Sequence, residues 1–253
     1  MIRIKTDEQI ELMKISGVVT GRILYELAGL IKPGVTTKEI DSFVEESILA
    51  EGMAPTFKGY NGFPASACIS VNEELVHGIP KESRKLAEGD IVSVDIGVTY
   101  KGWISDAART YAVGEVSETA ARMIRTSKES FFDGLEYCRE GSRLSDIGHA
   151  IQKRVEADGF SVVLEYVGHG IGSDMHEDPQ VKNYGEPGKG PKLARGMALA
   201  IEPMINEGVA DVEKLDDDWT VVTKDGKLAA HYENTVIITG GEPMIITLDE
   251  RDR

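Results

Sequence analysis

The 253-residue sequence predicts an α+β fold, antiparallel sheets with helices packed outside them. Three observations carry this. The first 50 residues have helical periodicity, strand-like runs separated by turn-forming loops follow each helical stretch, and one helix-bearing segment recurs further along the chain.

In chain order, Gln9 to Leu30 places Ile10, Met13, Val18, Ile23 and Leu27 at helical spacing, and IKPG breaks the pattern. A second helix follows. Thr36 and Glu39 stand in capping-box spacing ahead of Ile40, Phe43, Val44 and Ile48, and Gly52 closes it. IVSVDIGVTY and WISDAARTYAVG read as two strands joined by a tight turn at Lys101-Gly102. CREGSRLSDIGHAIQKRVEADGF (138–160) then repeats IKPGVTTKEIDSFVEESILAEGM (31–53) at an offset of 107. Gly34 meets Gly141, Ile40 meets Ile147, Val44 meets Ile151, Ile48 meets Val155 and Gly52 meets Gly159. The expectation is one catalytic domain of two related halves, about 1–120 and 121–253. FSVVLEYVG, GMALAIEPMI and HYENTVIIT supply the strands of the second half.

Composition sets limits. A net charge of −15 and a pI near 4.8 argue against general nucleic-acid binding, so no DNA partner is expected. Cys68 and Cys138 are far apart and form no CxxC pattern, which favours a reducing, cytoplasmic setting. The start, MIRIKTDEQIELMK, has no apolar signal core, and no run approaches the roughly 20 apolar residues of a membrane span. GEPGKGPK lacks the Ser or Thr of a phosphate loop, and GHGIG is no dinucleotide fingerprint.

The informative residues are acids in apolar strands: Asp95 in VSVDIGV, Glu202 in ALAIEPMI, and Glu233 before NTVIIT. Strands disfavour Asp, and an unpaired buried carboxylate is costly. Each needs a cation or a cluster of amides, and Arg109 is the one basic residue near in sequence. With a turn at Lys101-Gly102, position 95 faces 108 across the hairpin. Asp95 and Asp106 then share a face as diagonal neighbours, roughly 7–8 Å apart at the backbone. Two bare carboxylates so placed repel, and a cation between them turns that repulsion into binding.

Of five histidines, His169 and His176 fall in GHGIGSDMHEDPQ, where the glycines rule out a helix and hence an HExxH site. His169 is expected to end the strand VVLEYVG, with His176 returning to the same site from the following loop. Asp95, Asp106, Glu202 and Glu233 carry four negative charges, which two divalent cations neutralise. A mostly oxygen donor set with one imidazole suits Mn, Fe(II), Co or Zn in an open catalytic site. His231 is read as lying on the face opposite Glu233, outside the site.

In order and spacing, GYNGFPASACISVNEELVHGIP, DIGVTYKGWISDAART, GHGIGSDMHEDPQV, GMALAIEPMI and HYENTVIIT resemble the motifs of type I methionine aminopeptidases, from about residue 5 to 248. The resemblance implies the pita-bread fold, two pseudo-symmetric halves around a dinuclear metal site. It implies Asp95 on one metal, Asp106 and Glu233 bridging, and His169 and Glu202 on the other. Glu202 would be the general base for a metal-activated water, His176 would stabilise the scissile carbonyl oxygen, and His77 would contact the next residue's amide. Phe57, Tyr60, Phe63, Cys68, Met175 and Trp219 would form the methionine pocket. Cys68 is then wall, not nucleophile. Asn61 and Met175 depart from the histidine and the aromatic residue common in the family. The implied substrate is a peptide or nascent chain with a free N-terminal methionine and a small second residue. A monomer is expected, and association with the ribosome is compatible with such an activity. Two rivals are an Xaa-Pro aminopeptidase or prolidase of the same fold, and a pita-bread protein that has lost catalysis and only binds.

Overall fold

Helix α1 spans Asp7–Leu30 and helix α2 spans Thr37–Ala50. Both start at a capping box, Thr6 with Gln9 and Thr36 with Glu39, which satisfies two otherwise orphaned N–H groups at each start. The first box lies upstream of the apolar pattern, so α1 begins two residues before the pattern does. Met13, Ile23 and Leu27 are buried as expected, but Val18 is 67% exposed. The buried stripe passes instead through Gly17 and Val19. Gly17 packs so closely on the chain's end that a Cβ there would lie 2.4 Å from the Ile246 carbonyl oxygen.

The computed structural model describes residues 1–252. In the first half, β1 (Ala67–Val71) pairs antiparallel with β2 (Ile91–Tyr100), which pairs with β3 (Trp103–Ala112). The β2–β3 turn is Lys101-Gly102 with both φ values positive, 48° and 81°. Such a two-residue turn matches the strands' own twist. It fixes the register, with Asp95 opposite Ala108 and Gly97 opposite Asp106. α1 and α2 cover this sheet, burying Ile23, Leu27, Ile40, Val44 and Ile48 against Ile69, Val92, Val94 and Ile96.

In the second half, α3 (Glu118–Leu135) and α4 (Leu144–Ala157) pack on Leu199, Ile201 and Val236. α4 matches α2 at the offset of 107 in detail. Both have 14 residues, Gly34 and Gly141 have φ of 92° and 91°, and the bridge Thr36–Lys85 recurs as Arg143–Lys192.

Three strand expectations change. FSVVLEYVG is not one strand: Ser161–Val162 pairs, Leu164 is exposed, and pairing resumes only at β4 (Gly168–Gly170). His169 is thus the middle of a three-residue strand, not the end of a long one. β5 (Glu177–Val181) lies on one side of it. GMALAIEPMI divides into β6 (Ala198–Ile201) and β7 (Met204–Asn206), and HYENTVIIT into β8 (Ala229–His231) and β9 (Asn234–Ile237). β6 pairs with β9 in one sheet and β7 with β8 in another. Glu202 and Glu233 therefore sit where the chain changes sheets, not inside strands. Pro203 lacks an N–H for the ladder, which suits it to such a break. A third core group, including Met13, Phe57, Phe63, Cys68, Ile171, Met175 and Ile237, draws on both halves. Among the described residues, no helix is long and apolar enough to cross a membrane.

Candidate metal centre and substrate pocket

The β2–β3 hairpin carries Asp95 and Asp106 on one face, as its register requires. The second half is tied to that hairpin at the level of the acids. Glu233 N donates to Ala108 O at 2.9 Å, Asp106 N donates to Thr235 Oγ1 at 2.9 Å, and Thr235 Oγ1 donates to Asp106 O at 2.8 Å. These bonds bring the sheet break holding Glu233 against the acids of the first half. The β6–β7 break brings Glu202, and β4 brings His169.

The glycines around His169 are explained by close approach. A Cβ on Gly168 would lie 2.4 Å from Ala200 O, and one on Gly170 would lie 2.2 Å from Asp178 O. β4 is clasped between β5 and β6 too tightly for side chains on either side of the histidine. His169 Nδ1 is 2.9 Å from Gly170 O. A proton held there leaves Nε2 as a lone-pair donor. Nε2 lies 3.7 Å from Asp106 Oδ2 and 3.6 Å from Glu202 Oε1.

The cluster has the electrostatics of a cation site. Burial, then the neighbouring acids Asp106 and Glu202, push the Asp95 carboxyl well above the usual carboxylate range, and Glu233 is raised for the same reasons. Burial lowers the basicity of His169, but Asp106 and Glu202 outweigh it and raise its pKa. His169 pairs with Asp106 and Glu202, and His231 with Glu202 and Glu233. Asp95 Oδ1, Asp106 Oδ1 and Glu233 Oε1 are buried without a hydrogen-bond partner. Donor atoms of Asp106, His169 and Glu233 lie within 4.8 Å of one another, and so do those of Asp95, His231 and Glu233. Glu233 belongs to both groups. Unsatisfied oxygens converging from separate segments fit divalent cations, and they do not fit an ion-free salt-bridge network. The positive charge of Arg109 opposes part of the upward shift at Glu233. Arg109 lies three positions beyond Asp106 along β3, on the other face, and donates to the carbonyls of Ala108 and Glu233 at 2.8 and 2.6 Å.

His231 is the residue that the sequence reading misplaces. Its Nε2 is 3.6 Å from Glu202 Oε2 and 3.8 Å from Glu233 Oε2, inside the cluster. Positions 231 and 233 are two apart, so in an extended chain they share a face. That spacing is the signal that could have found it.

A pocket of about 240 Å³ opens beside the acids. It is lined by Phe57, Tyr60, Phe63, Cys68, His77, Asp95, Asp106, His169, Met175, His176, Glu202, Trp219 and Glu233, together with Asn61. Phe63 and Trp219 meet edge to face at 5.1 Å. His77 has a φ of 60°, rare for a side-chain-bearing residue, and packs edge-on against Tyr166 at 5.7 Å and Trp219 at 6.4 Å. Tyr166 is a support that the sequence did not suggest. The Tyr60 hydroxyl is 2.8 Å from His176 Nδ1, and burial, then His169, lower the pKa of His176. Cys68 faces Asp95 across β1–β2, and burial, then the nearby acids, hold its thiol well above the ordinary value. A thiol kept protonated is a wall and a poor nucleophile.

Gly97, opposite Asp106, makes room for this wall: a Cβ would lie 2.7 Å from Phe57 Cε1 and 2.9 Å from Thr56 Cβ. Gly97→Ala is expected to push Phe57 into the pocket and to raise KM for methionyl peptides by about tenfold, with a smaller change in kcat, since one misfitted methyl is worth roughly 1–3 kcal/mol. Steady-state kinetics check this. An unchanged KM would show that Phe57 does not bound the side-chain pocket.

The sequence matches the description "Metallopeptidase family M24" over residues 11–240. It is 56% identical over 250 residues to a methionine aminopeptidase of Clostridium acetobutylicum, covering 99% of this chain and 100% of that one. The crystal structure of methionine aminopeptidase from Thermotoga maritima superposes with a TM-score of 0.97 at 45% identity, covering 98% and 100% of the two chains. The prolidase from Pyrococcus furiosus shares the fold, with a TM-score of 0.77 at 22% identity, but this chain covers only 66% of it. Acids from two sheet breaks and one hairpin, an adjoining apolar pocket and a match across most of its length lead to one assignment: the chain belongs to metallopeptidase family M24, with the pita-bread fold.

Proposed function

We propose that the protein is a methionine aminopeptidase, a metal-dependent hydrolase that removes the leading methionine from peptides and newly made chains when the second residue is small. One observation carries this reading: a cluster of unsatisfied buried carboxylates opens directly onto an apolar, aromatic-walled pocket of side-chain size.

Asp95, Asp106, His169, Glu202 and Glu233 would hold two divalent cations, of Co, Mn, Fe(II) or Zn type. When bound, two such ions balance the four carboxylates and lower the pKa of water at the site. Phe57, Phe63, Cys68, Met175 and Trp219 would take the methionine side chain, whose thioether gains from aromatic edges. With the Tyr60 hydroxyl donating to Nδ1, the neutral His176 ring carries its proton on Nε2, ready to donate to the scissile carbonyl oxygen as charge develops there. His77, held in a strained backbone conformation against Tyr166 and Trp219, would contact the amide of the following residue. Glu202 would take the proton of the attacking water and pass it to the leaving amine. Cys68 and Cys138 are both buried and unpaired to any disulfide, which supports action in the cytoplasm. A monomer working on chains at the ribosome completes the reading.

Co(II)-loaded protein is expected to release methionine from Met-Ala-Ser and to leave Ala-Pro-Pro intact. Glu202→Gln is expected to lower kcat by about 10²–10⁴-fold, the range of a lost general base. Preferential cleavage of Ala-Pro-Pro would transfer the protein to the prolidase reading, and no cleavage of either peptide by the Co(II)-loaded wild type would leave only the binding-scaffold reading.

A further inference from the structure

We infer that His231 is a sixth metal-binding side chain, which joins Asp95 and Glu233 around one cation and so gives each of the two metal positions an imidazole of its own. This rests on the metalloaminopeptidase reading above and goes beyond its five-residue donor set.

The observations are geometric. The His231 side chain is 2% exposed, and its Nε2 has no hydrogen-bond partner. It stands to Glu202 as His169 does, on the other oxygen. His169 Nε2 is 3.6 Å from Glu202 Oε1 and 3.7 Å from Asp106 Oδ2, while His231 Nε2 is 3.6 Å from Glu202 Oε2 and 3.8 Å from Glu233 Oε2. These separations exceed the roughly 2.7–3.2 Å of a hydrogen bond. They are what two donors sharing a cation show when each bond is about 2.0–2.2 Å long. The donor atoms of Asp95, His231 and Glu233 also lie within 4.8 Å of one another.

The backbone holds this arrangement without help from the ring. His231 N donates to Thr110 Oγ1 at 2.9 Å, and Thr110 Oγ1 donates to His231 O at 2.8 Å. His231 is also the last residue of β8, registered opposite Met204. The position is therefore fixed at the mouth of the sheet break that delivers Glu233. A core histidine buried for packing alone would find a partner for both ring nitrogens, because an unmade buried bond is costly. A cation is the partner that satisfies Nε2 together with the unpartnered Asp95 Oδ1 and Glu233 Oε1. A second nitrogen donor also changes the chemistry, shifting preference from Mn towards Co, Fe(II) and Zn.

The test is the number of imidazoles bound per pair of Co(II) ions. In the proton NMR spectrum of protein loaded with two Co(II), each ligated imidazole gives one strongly shifted, exchangeable N–H resonance. Two are expected in the wild type and one in His231→Gln, with one Co(II) bound about 10–100-fold more weakly by calorimetry, at least the loss seen when a metal's supporting partner is removed. His231→Asn serves if the glutamine variant is not folded by circular dichroism, and the wild-type count decides in any case. A single shifted resonance from wild-type protein that binds two Co(II) and cleaves Met-Ala-Ser would overturn the inference and leave the proposed function standing. Protein that binds no Co(II) overturns both.

Discussion

Removing divalent cations with EDTA is expected to abolish methionyl-peptide cleavage, lower the thermal midpoint at neutral pH, and make the metal-free protein more stable as the pH falls towards about 5. The sign follows from the direction of the shifts. Asp95 and Glu233 are held well above the usual carboxylate range, first by burial and then by the neighbouring acids. A carboxyl that holds its proton more tightly in the folded state contributes stability that is present below its unfolded pKa. That contribution is lost as the pH rises through the raised folded value. At neutral pH the metal-free cluster therefore works against the fold, and a cation takes over the role of the missing protons. Each ion present at a hundred times its Kd contributes about 2.7 kcal/mol. For a chain of this size a kcal/mol moves the midpoint by roughly 2–4 °C, so two ions are expected to account for about 10 °C or more. As the pH falls, protons compete for the same oxygens, and the gap between loaded and metal-free midpoints should close. Calorimetric scans of both forms across pH measure this. A metal-free midpoint equal to the loaded one at neutral pH would mean that something other than cations relieves the repulsion among the four acids.

The parts of this site that were legible in the sequence were those set by local rules. Lys101-Gly102 dictates a two-residue turn, the turn dictates register, and register places Asp95 and Asp106 on one face. The helix that recurs at an offset of 107 was legible for the same reason, because capping residues and bracketing glycines are local signals. What escaped was non-local. GMALAIEPMI looks like one continuous strand because apolar residues flank Glu202 on both sides, and HYENTVIIT does because Tyr, Thr, Val and Ile favour strands. Nothing in the residues themselves says that β6 pairs in one sheet and β7 in another. His231 is a different case: its two-residue spacing from Glu233 was a local signal for a shared face, and only its approach to Glu202, where the break after β8 opens beside the break after β6, is non-local. Near the pocket, Asn61, singled out from the sequence, does line the cavity, whereas the support that Tyr166 gives His77 comes from a stretch read as strand.

Those sheet breaks need an anchor, and Arg109→Met is expected to show which residue provides it by lowering stability by about 3–5 kcal/mol, the cost of stripping one partner from a buried charged network. The guanidinium-bearing residue is 6% exposed. It donates to Ala108 O at 2.8 Å, Glu233 O at 2.6 Å, Asn234 Oδ1 at 2.8 Å and Thr247 O at 3.4 Å, and it lies 4.4 Å from the centre of the Tyr232 ring. Four acceptors on three separate segments thus converge on one planar fork. Methionine fills much the same volume but donates nothing, so those acceptors would stay buried and unpaired. Arg109→Lys should recover only part of the loss, because an ammonium cannot reach several fixed carbonyls in one plane. Because the Glu233 carbonyl is among the acceptors, the side chain of Glu233 is aimed by the same bonds. The methionine variant is therefore also expected to bind Co(II) more weakly, even in buffer where it remains folded. Chemical unfolding together with Co(II) calorimetry on the three proteins separates the two effects. A methionine variant within about 1 kcal/mol of the wild type, and with unchanged Co(II) affinity, would show that the breaks hold their shape through the β6–β9 and β7–β8 ladders alone.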